Sequence, residues 1–372
     1  MRRPHRVADM YLDFQINPNA LHETRVVEQR SVPLRPGQVR FRIDEFAFTA
    51  NNITYATTGS FLGYLDFFPV GEGQWRRIPV MGHGELIESA HPDIAPGGRY
   101  FGFFPMAGEH VMVAEPRGIG VRDASQHRSS HAPTYRQFDD VAHDPFYDAA
   151  RESQVELLRG LFVTSFLIDD FLADNGDFGA AQVLVTSASS KTSIALAWSL
   201  QQRGMPTVGI TSGRHIEAVR ALGCYDNVIG YDEISRLDGA EPANLVDMAG
   251  NGAVVAAIHD HFRGALQHSS VVGATHRDDG ARPAQMAGPV PEFFFAPTQI
   301  EKRAKDWGTG EVMHRAGLAF VAFAAFSDSW LHIDRSSGPQ QVRRAYQAVR
   351  DGASEPTTGF VLTLADKEAE PQ

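Results

Sequence analysis

The chain has 372 residues, 43% of them hydrophobic and 21% charged, and a formal net charge of -11 at pH 7. This length and composition predict a globular protein of two or three domains with a large core. The acidic balance argues against a nucleic-acid-binding role, because such an interface needs a clustered basic face, so small molecules are the expected partners.

Cysteine content and hydropathy bear on where the protein works. Cys224 is the only cysteine, so neither an intrachain disulfide nor a zinc site built from paired C-x-x-C motifs is expected. The basic start of the chain is followed by no continuous apolar segment, and no run of about 18 apolar residues occurs anywhere. We therefore predict a cytoplasmic protein without a signal peptide or a membrane span.

The first 148 residues predict a compact, mostly β domain. Apolar Val39, Phe41 and Ile43 alternate with polar neighbours in one of its short runs, as expected of a half-buried strand. Between residues 122 and 148 the chain becomes polar and rich in serine and histidine. That composition indicates a surface loop or linker or, alternatively, a mobile lid that binds substrate.

From residue 149 to residue 328, strand patterns alternate with helix patterns. The predicted elements are a helix over 151–174, strand 182–187, helix 191–203, strand 207–211, helix 214–222, strands 227–230 and 244–248, helix 252–264, strand 268–274 and one long helix from 297 to about 326. This alternation predicts an α/β fold, with a doubly wound parallel sheet covered by helices on both faces. A last strand is expected at 359–364.

The turn after strand 182–187 is the most informative local feature. Nucleotide-binding sheets hold phosphate at such a turn, commonly with the glycines of G-x-G-x-x-G. This turn has no glycine, but its small hydroxyl side chains and one lysine predict a phosphate site of different composition. The residues concerned are Ser187, Ser189, Ser190, Lys191 and Thr192.

This turn allows two other interpretations. A Walker-type ATP loop is disfavoured because Ser190 stands where that loop has the glycine before its lysine. Alternatively, the hydroxyl side chains only cap a helix in a fold that has lost its cofactor.

The end of the second strand of such a sheet indicates which dinucleotide binds. An acidic residue there accepts from the ribose hydroxyls of NAD, whereas a small polar residue with an arginine accommodates the 2'-phosphate of NADP. This chain has Thr211, Ser212 and Arg214 and no acid, which favours NADP(H). A cation at a helix start opposes the helix dipole, so a bound anion accounts better for Arg214.

Several motifs, taken in chain order, resemble the medium-chain dehydrogenase/reductase superfamily. They are Pro-Gly-Gln-Val-Arg-Phe at 36–41, Asn-Asn-Ile-Thr-Tyr at 51–55 before Gly59, Pro-Val-Met-Gly-His-Gly at 79–84, Val-Leu-Val-Thr-Ser at 183–187, and the closing segments 342–346 and 359–362. More narrowly, Ala-Ser-Ser-Lys-Thr at 188–192 and the segment 293–303 resemble the DUF2855 family.

The resemblance implies a GroES-like catalytic domain at 1–148, a Rossmann nucleotide-binding domain at 149–328, and a segment, 329–372, that returns to the catalytic domain. It also implies a homodimer formed through the edge of the Rossmann sheet. The domain arrangement agrees with the order of strand and helix patterns, which runs from β-rich to alternating and ends on a lone strand.

The histidines bear on whether a metal is bound. His83, in Gly-His-Gly-Glu, resembles a histidine ligand of the zinc-dependent members, but asparagine stands at 51 and 52, where the cysteine ligand is expected. No Cys, His or Asp occurs near 158–161 for the third ligand, so we predict no metal and a cleft or loop position for His83. His259 and His261 are expected to be solvated on different faces of a helix.

The catalytic assignments follow from the resemblance. Tyr55 matches the cleft tyrosine of quinone oxidoreductase-like members, and the other candidate donors are Asn51, Asn52 and Tyr64. Tyr231 resembles a residue near the adenine or ribose, and the backbone approaches the nicotinamide at Gly273, Ala274 and Thr275. Hydride addition to a conjugated carbonyl places negative charge on oxygen, which a hydroxyl or amide donor would stabilise.

The function expected from the sequence is a zinc-independent, NADP(H)-dependent reductase of an α,β-unsaturated ketone, enone or quinone-like carbonyl. Two alternatives stay open. One is a lyase or retro-aldolase that uses Lys191, Tyr55 or His83 as acid/base groups. The other is a non-catalytic sensor that binds a nucleotide.

Overall fold

The computed structural model describes residues 10–71, 73–272, 286–308 and 310–365. Contacts divide the chain into two compact units, and the boundaries fall after Leu157 and after Trp330. We call the unit formed by Met1–Leu157 and Leu331–Gln372 the barrel unit, and the unit formed by Leu158–Trp330 the parallel-sheet unit.

The elements of the first half of the chain are mostly strands. They are β1 (Met10–Ile16), β2 (Thr24–Arg30), β3 (Gln38–Phe48), α1 (Ala50–Leu62), β4 (Pro79–Ser89), β5 (Arg99–Pro105), β6 (Glu109–Arg117), β7 (Gly120–Asp123), β8 (Gln137–Asp140) and α2 (Glu152–Asp174).

The second half begins with the alternating elements. They are β9 (Gln182–Thr186), α3 (Lys191–Gln202), β10 (Thr207–Thr211), α4 (Ile216–Ala221), β11 (Asn227–Gly230), β12 (Ala243–Asp247), α5 (Gly252–Phe262), β13 (Leu266–Val271), β14 (Glu292–Phe293), α6 (Ala296–Trp307) and α7 (Glu311–Ser327). The chain then returns to the barrel unit with β15 (His332–Ser337), α8 (Pro339–Arg350) and β16 (Thr358–Thr363).

The barrel unit is built on a ring of antiparallel strands. Each of β3, β4, β5, β8, β7 and β6 pairs with the next, and β6 pairs again with β3, so these strands close on themselves. Closure removes the unpaired edges that an open sheet would expose. Val39, Phe41 and Ile43 of β3 are all buried in the core, as their alternation predicts.

The C-terminal segment completes the core of the barrel unit. Strand β16 pairs antiparallel with β3, and β15 pairs parallel with β16. Helix α8 contributes Tyr346, whose ring lies 5.5 Å from Phe14 and 5.7 Å from Phe48 and whose hydroxyl donates to the Leu21 carbonyl at 2.7 Å. The last strand and helix therefore pack on residues more than 290 positions earlier in the chain.

The parallel-sheet unit has the strand order β11-β10-β9-β12-β13-β14, with every neighbouring pair parallel. This is the order of the Rossmann fold and confirms the predicted doubly wound sheet. The direction of winding reverses between β9 and β12. In open α/β sheets, ligands bind outside the carboxyl ends of the strands at that reversal, which places the site at the ends of these two strands.

Two predicted elements differ from the structure. The single long helix expected over 297–326 is two helices, α6 and α7, because Gly308 has a φ of +103° that ends the first. Strand β13 ends at Val271 rather than 274. Gly273, Ala274 and Thr275, which were expected beside a nicotinamide, lie outside the described residues.

Residues 122–148 were expected to be a loop, linker or lid, yet part of this segment belongs to the barrel. Strand β8 pairs with β5 and with β7, and Arg128 is fully buried. The polar composition misled the prediction because the hydrogen bonds of these side chains are made inside the fold, as at Arg128, rather than with solvent.

The prediction of solvated histidines on α5 was wrong for one of the two. His259 is fully buried, with Nδ1 at 2.7 Å from the Ala287 carbonyl and Nε2 at 3.0 Å from the Ser269 hydroxyl. His261 lies 2.9 Å from the Leu237 carbonyl.

Among the described residues, no helix is both long enough and apolar enough to cross a membrane.

Glycines at 82 and 84 let β4 approach β3 closely. A Cβ atom at Gly82 would clash with the Glu45 carbonyl oxygen and lie 2.8 Å from the Phe46 Cα. At Gly84 it would lie 2.8 Å from the Arg42 carbonyl oxygen. The atoms in the way belong to the backbone and cannot rotate aside, so the motif around His83 has a packing role.

We expect Gly82→Ala to destabilise the protein by about 2–3 kcal/mol, because the added methyl group forces β3 and β4 apart. Urea unfolding followed by circular dichroism measures the change. Gly310→Ala is the matched control, since among the described residues no atom outside the adjoining backbone lies within 4 Å of the position of the new methyl group. Equal unfolding midpoints for Gly82→Ala and the unsubstituted protein would contradict the packing role.

Candidate functional site

The turn after β9 keeps the backbone form of a glycine turn without a glycine. Ser187 has a φ of +51°, in the left-handed region that costs an L-residue about 1–2 kcal/mol. Its backbone N–H donates to the Tyr231 hydroxyl at 3.2 Å, and the Ser190 N–H donates to its carbonyl at 2.8 Å. Strain of this kind is found where the backbone geometry is needed for function.

The glycine that this turn lacks is found on the neighbouring strand. A Cβ atom at Gly209 of β10 would lie 3.0 Å from the Ala188 Cβ and 2.9 Å from the ring of Tyr225. The Tyr225 hydroxyl donates to the Ala188 carbonyl at 2.9 Å. Gly209 therefore makes room for the side chains that hold the turn in place.

Helix α3 begins directly at this turn. Ser190 is the N-cap, and its hydroxyl accepts from the Ser193 N–H at 3.2 Å. Lys191 is the first helical residue, and Thr192 follows with its carbonyl accepting from the Ser165 hydroxyl at 2.8 Å. The positive end of the helix dipole and a lysine thus meet at one turn, an arrangement that favours a bound anion.

Burial lowers the pKa of Lys191 to about 8. The cause is desolvation, which disfavours the ammonium form. An anion that neutralises the ammonium group would reverse this effect. Lys191 therefore has the electrostatic property expected of a phosphate ligand.

The residues at the end of β10 meet the turn through a histidine that the sequence analysis missed. Thr211 is buried, Ser212 follows it, and Arg214 is exposed. His215 places Nδ1 at 3.3 Å from the Ser189 hydroxyl and 3.2 Å from the Ser212 hydroxyl. A signal was present, since this histidine stands one residue after the arginine that was chosen.

An acidic residue at the end of β12 was also missed. Asp247 is fully buried and accepts from the Thr186 hydroxyl at 2.7 Å and from the Gly250 N–H at 3.2 Å. The Met248 N–H donates to the Thr186 hydroxyl at 2.9 Å. This network joins β9 to β12 where the winding reverses, and it shapes the loop that leads to α5.

Tyr231 contacts the turn after β9. Its hydroxyl accepts the Ser187 N–H, and its pKa is raised mainly by burial. Tyr231 therefore contacts the turn after β9, and its expected position near an adenine or a ribose stays a prediction.

In the barrel unit, three predicted candidates lie together. Asn51 donates through Nδ2 to the Tyr55 hydroxyl at 2.7 Å, and the rings of Tyr55 and Tyr64 are 4.5 Å apart. The hydroxyls of Tyr64 and Tyr135 are 3.1 Å apart. We call Asn51, Tyr55, Tyr64 and Tyr135 the tyrosine cluster. Tyr135 was missed because it lies in the segment interpreted as a loop.

Two tyrosines of the cluster, Tyr55 and Tyr135, are held in the neutral form. Burial raises the pKa of Tyr55, and the nearby Tyr64 raises it further. Burial also raises the pKa of Tyr135. Because Asn51 already donates to the Tyr55 oxygen, the proton of Tyr55 is the one that can be given to another acceptor.

Arg128 contacts the tyrosine cluster through Tyr135. It is fully buried, donates to the Phe67 carbonyl at 3.1 Å and to the Tyr135 carbonyl, and stacks its guanidinium 4.1 Å from the Phe67 ring centre. Burial lowers its pKa to about 10. The arginine ties together two chain segments that carry residues of the cluster.

The side chain of Asn52 forms hydrogen bonds within the fold. Its side-chain oxygen accepts from the Thr49 N–H at 2.8 Å, and its side-chain nitrogen donates to the Pro79 carbonyl at 3.0 Å. These bonds cap α1 and tie it to β4. The oxygen and one N–H of this amide are therefore used within the fold.

His83 is a fully buried residue of β4, not the cleft or loop residue expected. Its Nδ1 lies 2.7 Å from Oε1 of Glu156, which is also fully buried. The pKa of Glu156 is raised mainly by burial and then by the charge of Glu45. Within the described residues, no group of three Cys, His, Asp or Glu side chains could hold a metal ion.

Solved structures with this fold align with nearly the whole chain. CurA from Vibrio vulnificus in complex with NADPH has a TM-score of 0.61 at 10% identity, with 96% of this chain and 100% of that chain covered. The quinone oxidoreductase from Coxiella burnetii has a TM-score of 0.53 at 12% identity, with coverages of 96% and 100%. At such identities the likeness shows a common fold.

A third structure extends the same likeness. A mutant of Etr1p, in complex with NADP and crotonyl-CoA, has a TM-score of 0.57 at 11% identity, with 95% of this chain and 99% of that chain covered. No curated protein matches the sequence.

The sequence itself matches one family model, described as "Protein of unknown function (DUF2855)", over residues 46–355. The match includes most of both units. It contains the glycine-free turn, the histidine that follows β10 and the whole tyrosine cluster. The chain belongs to the DUF2855 family.

Proposed function

We propose that the protein is a zinc-independent, NADP(H)-dependent reductase of α,β-unsaturated ketones, enones or quinone-like carbonyls. The observation that carries this proposal is the turn after β9, where a strained backbone, a helix start and a desolvated lysine meet at the reversal of the sheet. Each of these features favours a bound phosphate.

The residues around this turn fit a dinucleotide. Ser190, Lys191 and Thr192 are placed to bind the pyrophosphate at the start of α3. The absence of an acid between Thr211 and His215 removes the usual acceptor for the ribose hydroxyls of NAD. We therefore assign NADP(H) as the cofactor.

Similar structures support the choice of cofactor and substrate class. One is a complex with NADPH, another is a complex with NADP and crotonyl-CoA, and a third is named a quinone oxidoreductase. Crotonyl-CoA has a carbon-carbon double bond conjugated to a carbonyl group. The same bond pattern in a ketone or quinone is the substrate class that we propose.

The mechanism asks for few acid/base groups. The bound nicotinamide supplies the hydride. In the protein, Tyr55 would donate a hydrogen bond to the carbonyl oxygen as negative charge develops there, and the anion left by hydride addition would then take up a proton from solvent. Asn51 holds the tyrosine oxygen at 2.7 Å and so orients the tyrosine proton, while Tyr64 packs against the ring at 4.5 Å.

The lyase alternative has lost one of its three acid/base candidates. His83 is fully buried in a strand and bonded to Glu156, so it is not placed to exchange protons with a substrate. A sensor that binds nucleotide without turnover is a possible outcome of the binding and turnover experiments below.

We also propose that the protein is a cytoplasmic homodimer. Strand β14 is the last strand of the parallel sheet, and Phe293 within it and Phe295 shortly after it are 64% and 50% exposed. Large exposed apolar side chains along a sheet edge are typical of an interface.

The single, buried Cys224 fits a reducing compartment.

Phe293→Asp should convert this dimer to a monomer, because a buried, unpaired carboxylate opposes association. Sedimentation equilibrium measures the mass. Val32→Asp, an exposed apolar residue of the barrel unit, is the control that should keep the dimer. A monomeric unsubstituted protein at micromolar concentration would contradict the proposal.

Nucleotide binding should depend on the charge of Lys191. We expect Lys191→Met to weaken NADPH and NADH about tenfold or more, since both carry the pyrophosphate. Affinity should fall as the pH rises through about 8, where the lysine of the free protein loses its proton. Lys191→Arg should abolish that pH dependence because arginine stays charged.

Fluorescence titration of the cofactor measures these affinities. Lys305→Met, at an exposed position of α6, is the matched control and should bind like the unsubstituted protein. If the unsubstituted protein binds neither NADPH nor NADH, the reductase proposal fails.

Turnover should depend on Tyr55. We expect Tyr55→Phe to lower kcat about 10- to 100-fold on an enone or quinone without changing the Kd of NADPH, since the lost hydrogen bond strengthens only as the oxyanion forms. Stopped-flow oxidation of bound NADPH measures the step. Tyr11→Phe, in β1, is the control, and an unchanged kcat in Tyr55→Phe would remove this residue from the mechanism.

A further inference from the structure

One imidazole joins the two turns at which the proposed cofactor would bind. His215 lies within hydrogen-bond distance of Ser189, in the turn after β9, and of Ser212, at the end of β10. These two strands are neighbours in the sheet. The histidine therefore belongs to the carboxyl edge of the sheet, beside the start of α3.

We propose that His215, with the hydroxyls of Ser189 and Ser212, binds a phosphate monoester, the 2'-phosphate of NADP(H), and so selects NADP(H) over NAD(H). This inference rests on the proposed function and adds the residue that reads the phosphate. It also moves the main role from Arg214, which the sequence favoured, to its neighbour.

The hydrogen-bonding capacity of the three side chains supports this assignment. One ring nitrogen faces two hydroxyls at 3.2 and 3.3 Å, but it has either one lone pair or one proton to share between them. Each hydroxyl has one proton to donate. A phosphate dianion only accepts, and it can take the protons of both hydroxyls and of a protonated imidazole.

The charges nearby also favour an anion. Arg214 precedes the histidine and is exposed. Glu217, the next acid along the chain, forms an ion pair with Arg220 at 2.5 Å. After β11, Asp232 is exposed, while Glu233 accepts from the Gly230 N–H and pairs with Arg236. The nearest acids in sequence thus lie on helical turns outside the group of His215, Ser189 and Ser212.

Preorganisation distinguishes His215 from Arg214. The imidazole is half-buried and held between two hydroxyls, so little side-chain freedom is lost when a ligand binds. The arginine side chain is exposed and forms no ion pair with the described residues. A long exposed side chain must be ordered on binding, which reduces its net contribution.

The test compares two probes that differ by one phosphate. Adenosine 2',5'-bisphosphate and adenosine 5'-monophosphate are titrated into the full chain by calorimetry, and the ratio of their affinities reports recognition of the 2'-phosphate. We expect the unsubstituted protein to favour the bisphosphate at least tenfold. His215→Asn, which keeps a polar group near the hydroxyls without a cationic form, should lower that ratio about tenfold.

Two further variants sharpen the comparison. Arg214→Gln should lower the ratio less than His215→Asn does. His314→Asn, at an exposed position of α7, is the matched control and should leave the ratio unchanged. The expected pattern is therefore specific to one of two adjacent basic residues.

Several results would overturn the inference. If His215→Asn weakens both probes equally, the histidine has only a structural role, and if Arg214→Gln alone removes the preference, the arginine reads the phosphate. A protein that binds NADPH and NADH equally well overturns the selectivity while leaving nucleotide binding intact. A protein that binds none of these nucleotides overturns the proposed function together with this inference.

Discussion

The parallel-sheet unit depends on how closely the turn after β9 can approach β10. Ala188 belongs to that turn and is fully buried. Only a residue without a side chain at 209 leaves room for Ala188 and for Tyr225. Glycine is thus still required for close packing, but it stands on the neighbouring strand. The turn itself is then able to carry serine and lysine side chains where related folds expose bare backbone.

This exchange of positions changes how an anion would be held. Glycine-rich turns offer backbone N–H groups, which are uncharged and reach a ligand only at close range. Here the Ser187 N–H donates to Tyr231, so hydroxyl groups and the ammonium group of Lys191 would bind the anion that we propose. Charged side chains act over longer distances than amide dipoles, and their strength varies with pH.

In the barrel unit, the tyrosine cluster offers hydrogen-bond donors rather than general bases. Burial keeps Tyr55 and Tyr135 neutral, and His83, which has a carboxylate partner, is fully buried in β4. A site with neutral hydroxyl donors suits a reaction in which negative charge appears on a substrate oxygen. It suits proton abstraction less well, since Tyr55 and Tyr135 stay protonated near neutral pH.

Local sequence patterns were enough to establish the fold class, the alternating elements from β9 to β13 and the glycine-free turn, because strand and helix periodicities are properties of neighbouring residues. They also brought Asn51, Tyr55 and Tyr64 forward as candidates. Tertiary structure alone showed that Glu156 meets His83, that Asp247 meets Thr186, that Tyr135 meets Tyr64, and that His215 meets Ser189. Each of those contacts joins residues 26 to 73 positions apart, and no periodicity records which distant side chains a fold brings together.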